Sequence, residues 1–500
     1  MKIVIIGGGV AGLSAGIYAQ LAGFESAVYE KCGVLGGQCT GWDRKGYHID
    51  GCIHWLTGTK EGSGLYRIWQ ELGVIQGNDI IHLDRFGVYE YEGGAISLWK
   101  DLDRLEQELL TLSPEDAGPI KNMIRDIRTM QSMVIPVNHP VDMMPLGEKL
   151  RMLRVLMGAG GILTKNSRTS CAAYAQRFKH PALQSFIAQR VPPYFSILAF
   201  IFGMANFSGD NGAIPAGGSR GMVDRMEKRY RELGGEAHTG MAAEEIIIRD
   251  GRARGVRFAG GGIVNADYVI ASCDVHVTLK KLLNNRYTDK RFEYRYRHPR
   301  EYPVLSSFRA AFGVREDLGD YPHALVFEIE PLTVGVTPFS SLGMRHYAYQ
   351  RDFAPPGCTT LTVAFNQTAE DYAFWEALYT GDREKYRAEK NRIAGAIQER
   401  LEGRFPEFRG KMEFLDAASP ATYHRYTGAY QGAWMSFMMT PKTKMMMHRG
   451  VVRGLQNFFL SGQWLQPPGG LPIAALYGKY TIQRICKQEK IPWDFAAPRS

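Results

Sequence analysis

The sequence predicts an α/β fold, with helices packed on a parallel sheet, and three observations carry this prediction. Residues 3–6 are all β-branched, as in a buried parallel strand. Glycines follow at positions 7, 9 and 12, and residues 13–21 are predicted as a helix rich in small residues. Residues 27–29 form a second strand that ends on Glu30. This order of strand, glycine-rich turn, helix and strand is typical of a Rossmann-like unit that binds a dinucleotide.

Each glycine of the turn has a separate task. Gly7 permits the tight turn, Gly9 leaves room for a pyrophosphate, and Gly12 lets the helix pack closely on the strand. The start of the helix supplies N–H groups and the positive end of a dipole for the phosphates. Glu30 can accept hydrogen bonds from ribose hydroxyls. The predicted cofactor site therefore begins with Gly7, Gly9, Val10, Ala11, Gly12, Glu30 and Lys31.

A secretory signal is the alternative interpretation of the first residues, because Lys2 precedes an apolar run. This run holds several glycines and lacks a persuasive cleavage site, so we expect no signal peptide. We also expect no transmembrane helix, because no segment reaches the roughly 18 uninterrupted apolar residues of a span. The most apolar stretch, residues 194–207, fits a buried helix or a pocket wall better than a membrane-dipping element.

Cysteine usage and charge limit the compartment and the partners. Seven cysteines at irregular spacing indicate a reducing, cytoplasmic compartment without a disulfide framework. Neither cysteines nor histidines show ligand spacing, so we predict no metal site. The formal net charge is +9, with basic residues dispersed among acids. A solvated surface is the default interpretation, peripheral attraction to anionic lipid headgroups is the alternative, and we expect no nucleic-acid partner.

The rest of the chain alternates helical and extended patterns, and its 500 residues suggest more than one domain. Residues 88–99 are predicted as a hairpin with its turn at Gly93–Gly94. Further helices are predicted at residues 61–72, 102–112, 114–129, 170–189, 220–233, 384–401 and 473–486, and further strands at residues 267–272, 305–314, 359–365 and 458–463.

Residues 130–165 have a different character, because six methionines alternate there with basic residues. Methionine is deformable and suits irregular apolar pockets, and basic amphipathic stretches can lie on membranes. Two interpretations stay open: ordinary core with a solvated face, or a substrate entrance that touches lipid.

A family resemblance rests on the residues after the second strand. Gly36 and Gly37 form a glycine pair there, and residues 47–58 include Asp50. On these motifs, residues 1–58 resemble the flavin amine oxidase and phytoene desaturase superfamily. The resemblance implies an FAD cofactor and an α+β substrate domain interleaved with the Rossmann-like domain. Gln38 stands where the superfamily usually has arginine, which removes a charge near the pyrophosphate.

The segment that resembles the superfamily's return under the flavin ring contains Ile53, His54 and Trp55. The His–Trp pair is similar to the carotenoid isomerase and retinol saturase branch, and Cys52 replaces a usual glycine. Two interpretations of His54 stay open. It is an ordinary loop histidine packed beside the cofactor, or it tunes the flavin or moves a proton, which makes it the sole catalytic candidate.

Three later segments continue the resemblance. Residues 215–219 match a Pro-x-Gly-Gly-Ser turn, and Ala243 takes the place of a residue whose backbone contacts adenine. Gly462 and Gln463 would lie near the ribityl chain, and the helix after Pro472 would point its N-terminus at the flavin. The resemblance therefore adds to the cofactor site Gly37, Gln38, Ile53, His54, Ala243, Gly462, Gln463, Leu471 and Ile473.

The resemblance also implies a division into domains. An FAD-binding domain is expected from residues 1–75, 213–290 and 450–490, and a substrate-binding domain from residues 76–212 and 291–449. A second strand, G-x-G-x-x-G turn and helix is missing from the sequence, so we expect no dedicated NAD(P)H domain. The electron partner stays open among a quinone, oxygen, another flavin and a redox protein.

The function implied is an FAD-dependent oxidoreductase that desaturates, saturates or isomerises carbon–carbon bonds of an apolar polyene or lipid-like substrate. A flavin amine or amino-acid oxidase is the first alternative. Tyr426, Tyr430 and Trp434 could form the aromatic cage that it needs, or could simply pack. A non-catalytic lipid-binding flavoprotein is the second alternative.

Overall fold

The computed structural model describes residues 1–77, 80–133, 135–190 and 192–493. Its strands in chain order are β1 Lys2–Ile6, β2 Glu25–Tyr29, β3 Gly41–Arg44, β4 Tyr47–Asp50, β5 Leu56–Thr57, β6 Ile80–Ile81, β7 Arg85–Tyr91, β8 Gly94–Trp99, β9 Gly212–Pro215, β10 Glu236–His238, β11 Ala243–Arg249, β12 Arg252–Phe258, β13 Ile263–Asn265, β14 Tyr268–Ala271, β15 Ser306–Val314, β16 Ala324–Val334, β17 Thr337–His346, β18 Thr359–Gln367, β19 Met412–Ala418 and β20 Phe458–Leu460.

Helices fill the connections between these strands. In chain order they are α1 Val10–Leu21, α2 Gly64–Glu71, α3 Leu102–Leu112, α4 Ala117–Gln131, α5 Leu146–Ser167, α6 Cys171–Ala175, α7 Pro181–Arg190, α8 Leu198–Ser208, α9 Gly218–Glu232, α10 Val275–Val277, α11 Lys290–Arg297, α12 Ala369–Gly381, α13 Arg383–Arg404, α14 Pro420–Thr427 and α15 Leu471–Gln488. A π-helical stretch, Thr278–Leu282, continues α10.

A five-stranded parallel sheet has the order β10-β2-β1-β14-β20. It therefore combines strands from the first, middle and last parts of the chain. Ile3, Val4 and Ile5 of β1 are completely buried. Helix α1 packs against α15, where the Ser14 hydroxyl donates to the Ala475 carbonyl at 2.7 Å. The carboxyl ends of these parallel strands meet at one edge, which is where such sheets bind nucleotides.

A seven-stranded sheet has the order β19-β15-β18-β17-β16-β7-β8 and is antiparallel apart from the β7–β16 pair. Its strands alternate between two faces. Phe308 on one face packs into a core with Trp375 of α12 and Ile393 of α13. Arg309, next along β15, points to the opposite face and lines a cavity.

A third layer is helical. Helices α3, α4, α6, α7 and α8 share a core that contains Leu105, Ile124, Phe186 and Ile201. Helix α5 contacts this core only through its second half, at Ala159, Ile162 and Leu163, and only Ala159 and Asn166 of its 22 residues are buried. In the described part of the chain, no helix is both long enough and apolar enough to cross a membrane.

The predicted fold class is confirmed, and the main differences lie at element ends. Helix α1 begins at Val10, three residues before the predicted start, because Gly9 is its N-cap. The β7–β8 turn lies at Glu92–Gly93, one residue early, since Tyr91 pairs with Gly94. Residues 170–189 form two helices, α6 and α7, instead of one helical region. Residues 194–207 do contain a buried helix, α8, which also lines the cavity.

The methionine-rich stretch 130–165 contains most of helix α5, which periodicity did not predict. Val134 of this stretch lies outside the described residues. Helix α2 is also shorter than predicted and begins at Gly64, because the Ser63 hydroxyl accepts the Tyr66 N–H at 3.1 Å and caps it.

Candidate functional site

One cavity of about 1650 Å³ runs from the carboxyl edge of the parallel sheet into the helical layer. Drug-sized ligands occupy pockets of about 300–1,000 Å³, so this cavity has room for a dinucleotide and a second molecule. It is lined by all the predicted cofactor residues except Gly12, namely Gly7, Gly9, Val10, Ala11, Glu30, Lys31, Gly37, Gln38, Ile53, His54, Ala243, Gly462, Gln463, Leu471 and Ile473.

Gly12 acts from behind the cavity wall. A Cβ on Gly12 would lie 1.9 Å from the Gly7 carbonyl oxygen, so only glycine lets α1 approach the turn. Gly7 has a φ of +99°, which favours glycine. At Gly9 a Cβ would contact the Gly36 carbonyl at an ordinary 3.6 Å, so this position is open toward the cavity.

The Glu30 carboxylate is buried at the end of β2 and is held by the backbone. One oxygen accepts the Gly8 N–H at 2.8 Å, and the other accepts the Cys32 N–H at 2.9 Å. Each oxygen keeps a second lone pair that can accept another hydrogen bond. Lys31 differs, because its ammonium group donates to the Arg425 carbonyl at 2.9 Å.

Two glutamines from distant parts of the chain form a chain of amides on the cavity wall. Gln463 Nε2 donates to Gln38 Oε1 at 3.0 Å. Gln463 Oε1 accepts the Gly470 N–H at 3.0 Å, and Gln38 Nε2 donates to the Ala433 carbonyl. At the position of the superfamily's arginine, Gln38 thus forms part of a neutral link between two distant segments of the site.

Two helices begin at the cavity. The first residues of α1, Val10 and Ala11, and of α15, Leu471 and Ile473, all line it. Neither N-cap glycine, Gly9 or Gly470, provides a side-chain hydrogen bond. N–H groups of the first helical turns have no partner within their own helix. Both helix ends therefore favour negative charge in the cavity.

Asp50 organises the segment that leads to His54. Its buried carboxylate accepts N–H groups from Cys52 at 2.9 Å and Ile53 at 3.1 Å. It also accepts the backbone N–H and the hydroxyl of Ser219 at 2.7 and 2.6 Å. A Cβ on Gly218 would lie 2.2 Å from this carboxylate. The hydrogen bonds between Ser219 and Asp50 therefore hold the 50–54 segment in position. The sequence analysis did not assign this role to Ser219.

His54 borders the cavity, and its surroundings favour the neutral imidazole. Burial lowers the pKa of His54 well below its ordinary value, and the nearby guanidinium groups of Arg345 and Arg309 lower this pKa further. A neutral imidazole can accept or donate a hydrogen bond, but it does not supply a proton as an imidazolium ion would.

Sequence reasoning missed Arg309 and Arg345. Arg309 is buried on β15, and its Nη1 donates to the Asp50 carbonyl at 2.8 Å. Arg345 on β17 approaches the His54 carbonyl, with 3.5 Å from Nη1 to oxygen. Both side chains line the cavity. For Arg309 the sequence did contain a signal, because it is the single charged residue in the predicted strand 305–314.

The far half of the cavity is apolar and opens at the protein surface. Met152, Leu156, Phe195, Phe202, Met204, Trp434, Met435, Met438, Met445 and Met447 line it. Of these, Leu156, Trp434, Met445 and Met447 are at least 38% exposed. Tyr426, Tyr430 and Trp434 do not form the aromatic cage that an amine oxidase would need. Only Trp434 reaches the cavity, whereas Tyr430 packs on Tyr296 and Tyr426 is largely exposed.

Helix α5 presents a second apolar surface beside this opening. Leu146, Leu150, Leu153 and Met157 are spaced as neighbours on one helix face, and each is more than half exposed. Met152, Val155 and Leu156 on the other side of the helix line the cavity. Lys149 and Arg154 flank the exposed face. The helix thus separates the cavity from an apolar, positively charged surface, which we call the α5 face.

Comparison with known proteins supports the prediction of a nucleotide-binding region at the start of the chain. The profile of a family described as an NAD(P)-binding Rossmann-like domain matches residues 5–72. The chain is 23% identical to the all-trans-zeta-carotene desaturase of Myxococcus xanthus, over 65% of this chain and 62% of that protein. It is 22% identical to the lycopene-forming phytoene desaturase of Pseudescherichia vulneris, over 96% of this chain and 98% of that protein. The predicted resemblance to phytoene desaturases is confirmed.

A third relative widens the range of named activities. The 4,4'-diaponeurosporene oxygenase of Staphylococcus aureus is 24% identical, over 56% of this chain and 57% of that protein. The chain therefore matches less than two thirds of two of these three relatives.

Solved structures share the fold over nearly the whole chain. An oxidoreductase from Methanosarcina mazei superposes with a TM-score of 0.61 at 17% identity, covering 97% of this chain and 100% of that one. Putrescine oxidase superposes with a TM-score of 0.60 at 12% identity, covering 97% and 99%. At these identities the likeness shows the fold alone.

Proposed function

We propose that this protein is an FAD-dependent oxidoreductase that desaturates, saturates or isomerises carbon–carbon bonds of an apolar polyene or lipid-like substrate. One observation carries the proposal: a single cavity joins the glycine-rich turn to a chamber of aromatic and methionine side chains. A cofactor that reached from Glu30 to His54 would present its reactive end to that chamber. The named activities of the relatives, on zeta-carotene and phytoene, support this substrate class.

The donor set of the cavity fits FAD. Gly9 and Gly37 bring backbone close without side chains, and the starts of α1 and α15 favour the pyrophosphate and an electron-rich flavin. Glu30 would accept from the ribose, Ala243 would contact the adenine, and Gly462 and Gln463 would lie along the ribityl chain. The glycine pair after β2 and the return of the chain at β20 favour FAD over NAD(P).

These cofactor residues lie within 1–75, 213–290 and 450–490, which we propose as the FAD-binding domain, with 76–212 and 291–449 as the substrate-binding domain. Bound FAD would supply the acceptor or donor of a hydride. The chain's own contribution is positional. Asp50 and Ser219 fix the 50–54 segment, the apolar chamber excludes water, and His54 offers a neutral hydrogen-bonding group.

An amine oxidase is disfavoured by the charge of the same cavity. Arg309 and Arg345 place two cations on its wall, and a protonated amine would be repelled by them. The likeness to putrescine oxidase concerns the fold only. The lack of an aromatic cage formed by Tyr426, Tyr430 and Trp434 also disfavours an amine oxidase.

A membrane surface is the proposed source of the substrate. The α5 face is apolar and flanked by Lys149 and Arg154, as in helices that lie on anionic bilayers. Its helix forms part of the cavity wall, so a lipid-soluble molecule would travel a short distance from the bilayer to the chamber.

The proposal is tested by incubating purified, FAD-loaded protein without oxygen with panels of carotenoids, retinoids and unsaturated lipids. Oxidised and reduced flavin are compared, and products are separated by chromatography. We expect conversion of an apolar polyene or lipid together with a change in the flavin absorbance, or conversion without net flavin change for isomerisation. Turnover of polar amines alone, with release of hydrogen peroxide, would contradict the proposal. A flavin that no candidate reduces or reoxidises would favour a non-catalytic lipid-binding role.

A further inference from the structure

Arg309 and Arg345 lie on the same face of the seven-stranded sheet. Arg309 on β15 pairs with Ala364 of β18, and Arg345 on β17 pairs with Thr362 of β18. Ala364 and Thr362 are two residues apart and therefore share a face. Both arginines line the cavity, and only small side chains stand between them on β18.

Neither guanidinium group forms an ion pair with a residue in the described part of the chain. Burial lowers the pKa of Arg309, but nearby Tyr423, Tyr347 and the Asp50 carboxylate raise it above its ordinary value. Each guanidinium group donates a hydrogen bond to a backbone carbonyl, Arg309 to that of Asp50 and Arg345 to that of His54. The Asp50 carboxylate is already committed to backbone N–H groups and to Ser219. Arg309 is only 7% exposed, and its Nε lacks a hydrogen-bond partner. This cavity-lining residue therefore has a buried N–H donor without an acceptor.

Two cations on the wall of a largely apolar chamber favour a ligand that carries negative charge. A buried cation that forms no ion pair favours a negatively charged ligand, and an unsatisfied N–H donor adds to this preference. Burial lowers the pKa of His54, and the two nearby arginines lower this pKa further, in agreement with their positive charge. Ser307 and Asn366, paired across β15 and β18, extend the polar strip on an otherwise apolar wall. A ligand with a negative group would meet this preference.

We propose that Arg309 and Arg345 form a carboxylate subsite, so that the substrate is an apolar chain that ends in an acidic group. This inference rests on the proposed function and names one end of its substrate. Guanidinium groups bind carboxylates through charge-assisted, often bidentate hydrogen bonds. With its carboxylate between the two arginines, the apolar part of the substrate would extend along the aromatic and methionine side chains. It would reach the opening of the cavity beside the α5 face. A hydrocarbon without a polar end would leave both cations unpaired.

The first experiment compares two ligands that differ only at the head. FAD-loaded protein is titrated with oleate and with methyl oleate below their critical micelle concentrations, and binding is followed by calorimetry. We expect oleate to bind about tenfold more tightly than the ester, because only the acid pairs with the arginines. Equal affinities, or tighter binding of the ester, would overturn the proposal. Displacement of oleate by equimolar acetate would also overturn it, since the site would then take any free anion.

The second experiment removes one guanidinium group at a time. In Arg345→Gln, we expect the preference for oleate to fall to about twofold or less. Arg309→Gln should act in the same direction, and Arg345→Gln carries the test if loss of the buried Arg309 prevents folding. Arg315→Gln is the matched control, because Arg315 lies just beyond β15, is exposed and does not line the cavity. It should keep the full preference.

Two outcomes separate this subsite from other roles. If Arg345→Gln lowers the midpoint potential of the flavin but keeps the preference for the acid, the guanidinium serves the cofactor and the proposal fails. Turnover of neutral polyenes without any preference for acids would leave the proposed function standing and would overturn the subsite. A clear preference for acids without any flavin turnover would support the subsite and contradict the proposed function.

Discussion

The side-chain amide of Gln463 donates to Oε1 of Gln38 at 3.0 Å, which joins residues 425 positions apart on the wall of one cavity. Gln38 in turn donates to the Ala433 carbonyl, and Gln463 accepts from Gly470. Every link is neutral. An uncharged amide chain therefore connects the glycine-rich loop after β2 with the start of α15.

Charging one end of this amide chain should weaken cofactor binding. We expect Gln463→Glu alone to raise the Kd for FAD about tenfold, since it leaves a half-buried charge unpaired, and we compare it with Gln38→Arg alone and with the double variant. The double variant should recover most of this loss, because the two new charges face one another. Equilibrium titration of apo-protein with FAD measures all four proteins. Additive losses in the double variant would show that the two side chains act separately.

The glycines of the first turn should fail in different ways. Gly12→Ala puts a Cβ 1.9 Å from the Gly7 carbonyl, so we expect it to destabilise the protein by about 3 kcal/mol or to prevent folding. Gly9→Ala meets no atom closer than 3.6 Å, so it should fold but bind FAD more weakly. Thermal unfolding and FAD titration separate the two effects. A stable Gly12→Ala protein with normal FAD affinity would contradict this account of the turn.

His54 should stay uncharged across the physiological range. Because burial and the two arginines lower its pKa well below the ordinary value, its ring should not titrate between pH 6 and 8. The ring resonances of His54 are assigned by their absence in His54→Asn and then followed by NMR across this range. A midpoint near 6.5 would contradict the burial and the positive field described here.

The α5 face should bind anionic membranes. We expect the protein to sediment with phosphatidylglycerol vesicles and to bind phosphatidylcholine vesicles less well. Leu150→Ser together with Leu153→Ser should weaken this binding about tenfold, since two exposed apolar side chains are lost.

Val336→Ser is the matched control for the α5 face. Val336 is also an exposed apolar residue, but it does not line the cavity. It should leave vesicle binding unchanged, and turnover of detergent-solubilised substrate should be the same in all variants. Equal vesicle binding by the wild type and the double α5 variant would refute the assignment of this surface.

Lys479 should make stability rise with pH in the alkaline range. It is buried in α15, 3.9 Å from Glu71, and burial lowers its pKa to about 8. In the unfolded chain its pKa returns to about 10.4. Between these values the unfolded state binds more protons, so the free energy of unfolding increases with pH, by up to about 3 kcal/mol from this residue.

Lys479→Met tests this linkage. The difference in unfolding free energy between wild type and variant, measured with denaturant from pH 7.5 to 10.5, should change by this amount. Lys487→Met, which removes an exposed lysine from the end of the same helix, is the matched control. A flat difference for Lys479→Met would mean that Lys479 keeps its proton in the folded protein.

The parts of the molecule that sequence reasoning predicted well depend on local patterns. β1, the glycine turn, α1 and β2 follow one another within thirty residues, so spacing alone identifies them. Arg309 and Arg345 could not be placed in this way, because they become neighbours only after β15 and β17 pair with β18. The link between Gln38 and Gln463 depends likewise on long-range folding, although both positions were candidates.

Helix α5 shows a second reason for what was missed. Its leucines follow a helical period, but this period normally indicates a face turned toward the core. Here Leu146, Leu150 and Leu153 face outward while Met152 and Leu156 face the cavity. Apolar residues on both sides obscure the periodicity, so the sequence indicated an unusual segment without indicating its direction.

Strand β1 leaves the ribosome first among the strands of the parallel sheet, and β20 leaves it last. Until residues 458–473 have been made, the nascent chain lacks the strand beside β14 and the helix that packs on α1. Its half-built crevice has no Gln463 to meet Gln38 and no second helix end to attract an anion. The proposed FAD site is therefore complete only after residues 458–473 have been made, and we expect the cofactor to bind after this part of the chain has been synthesised.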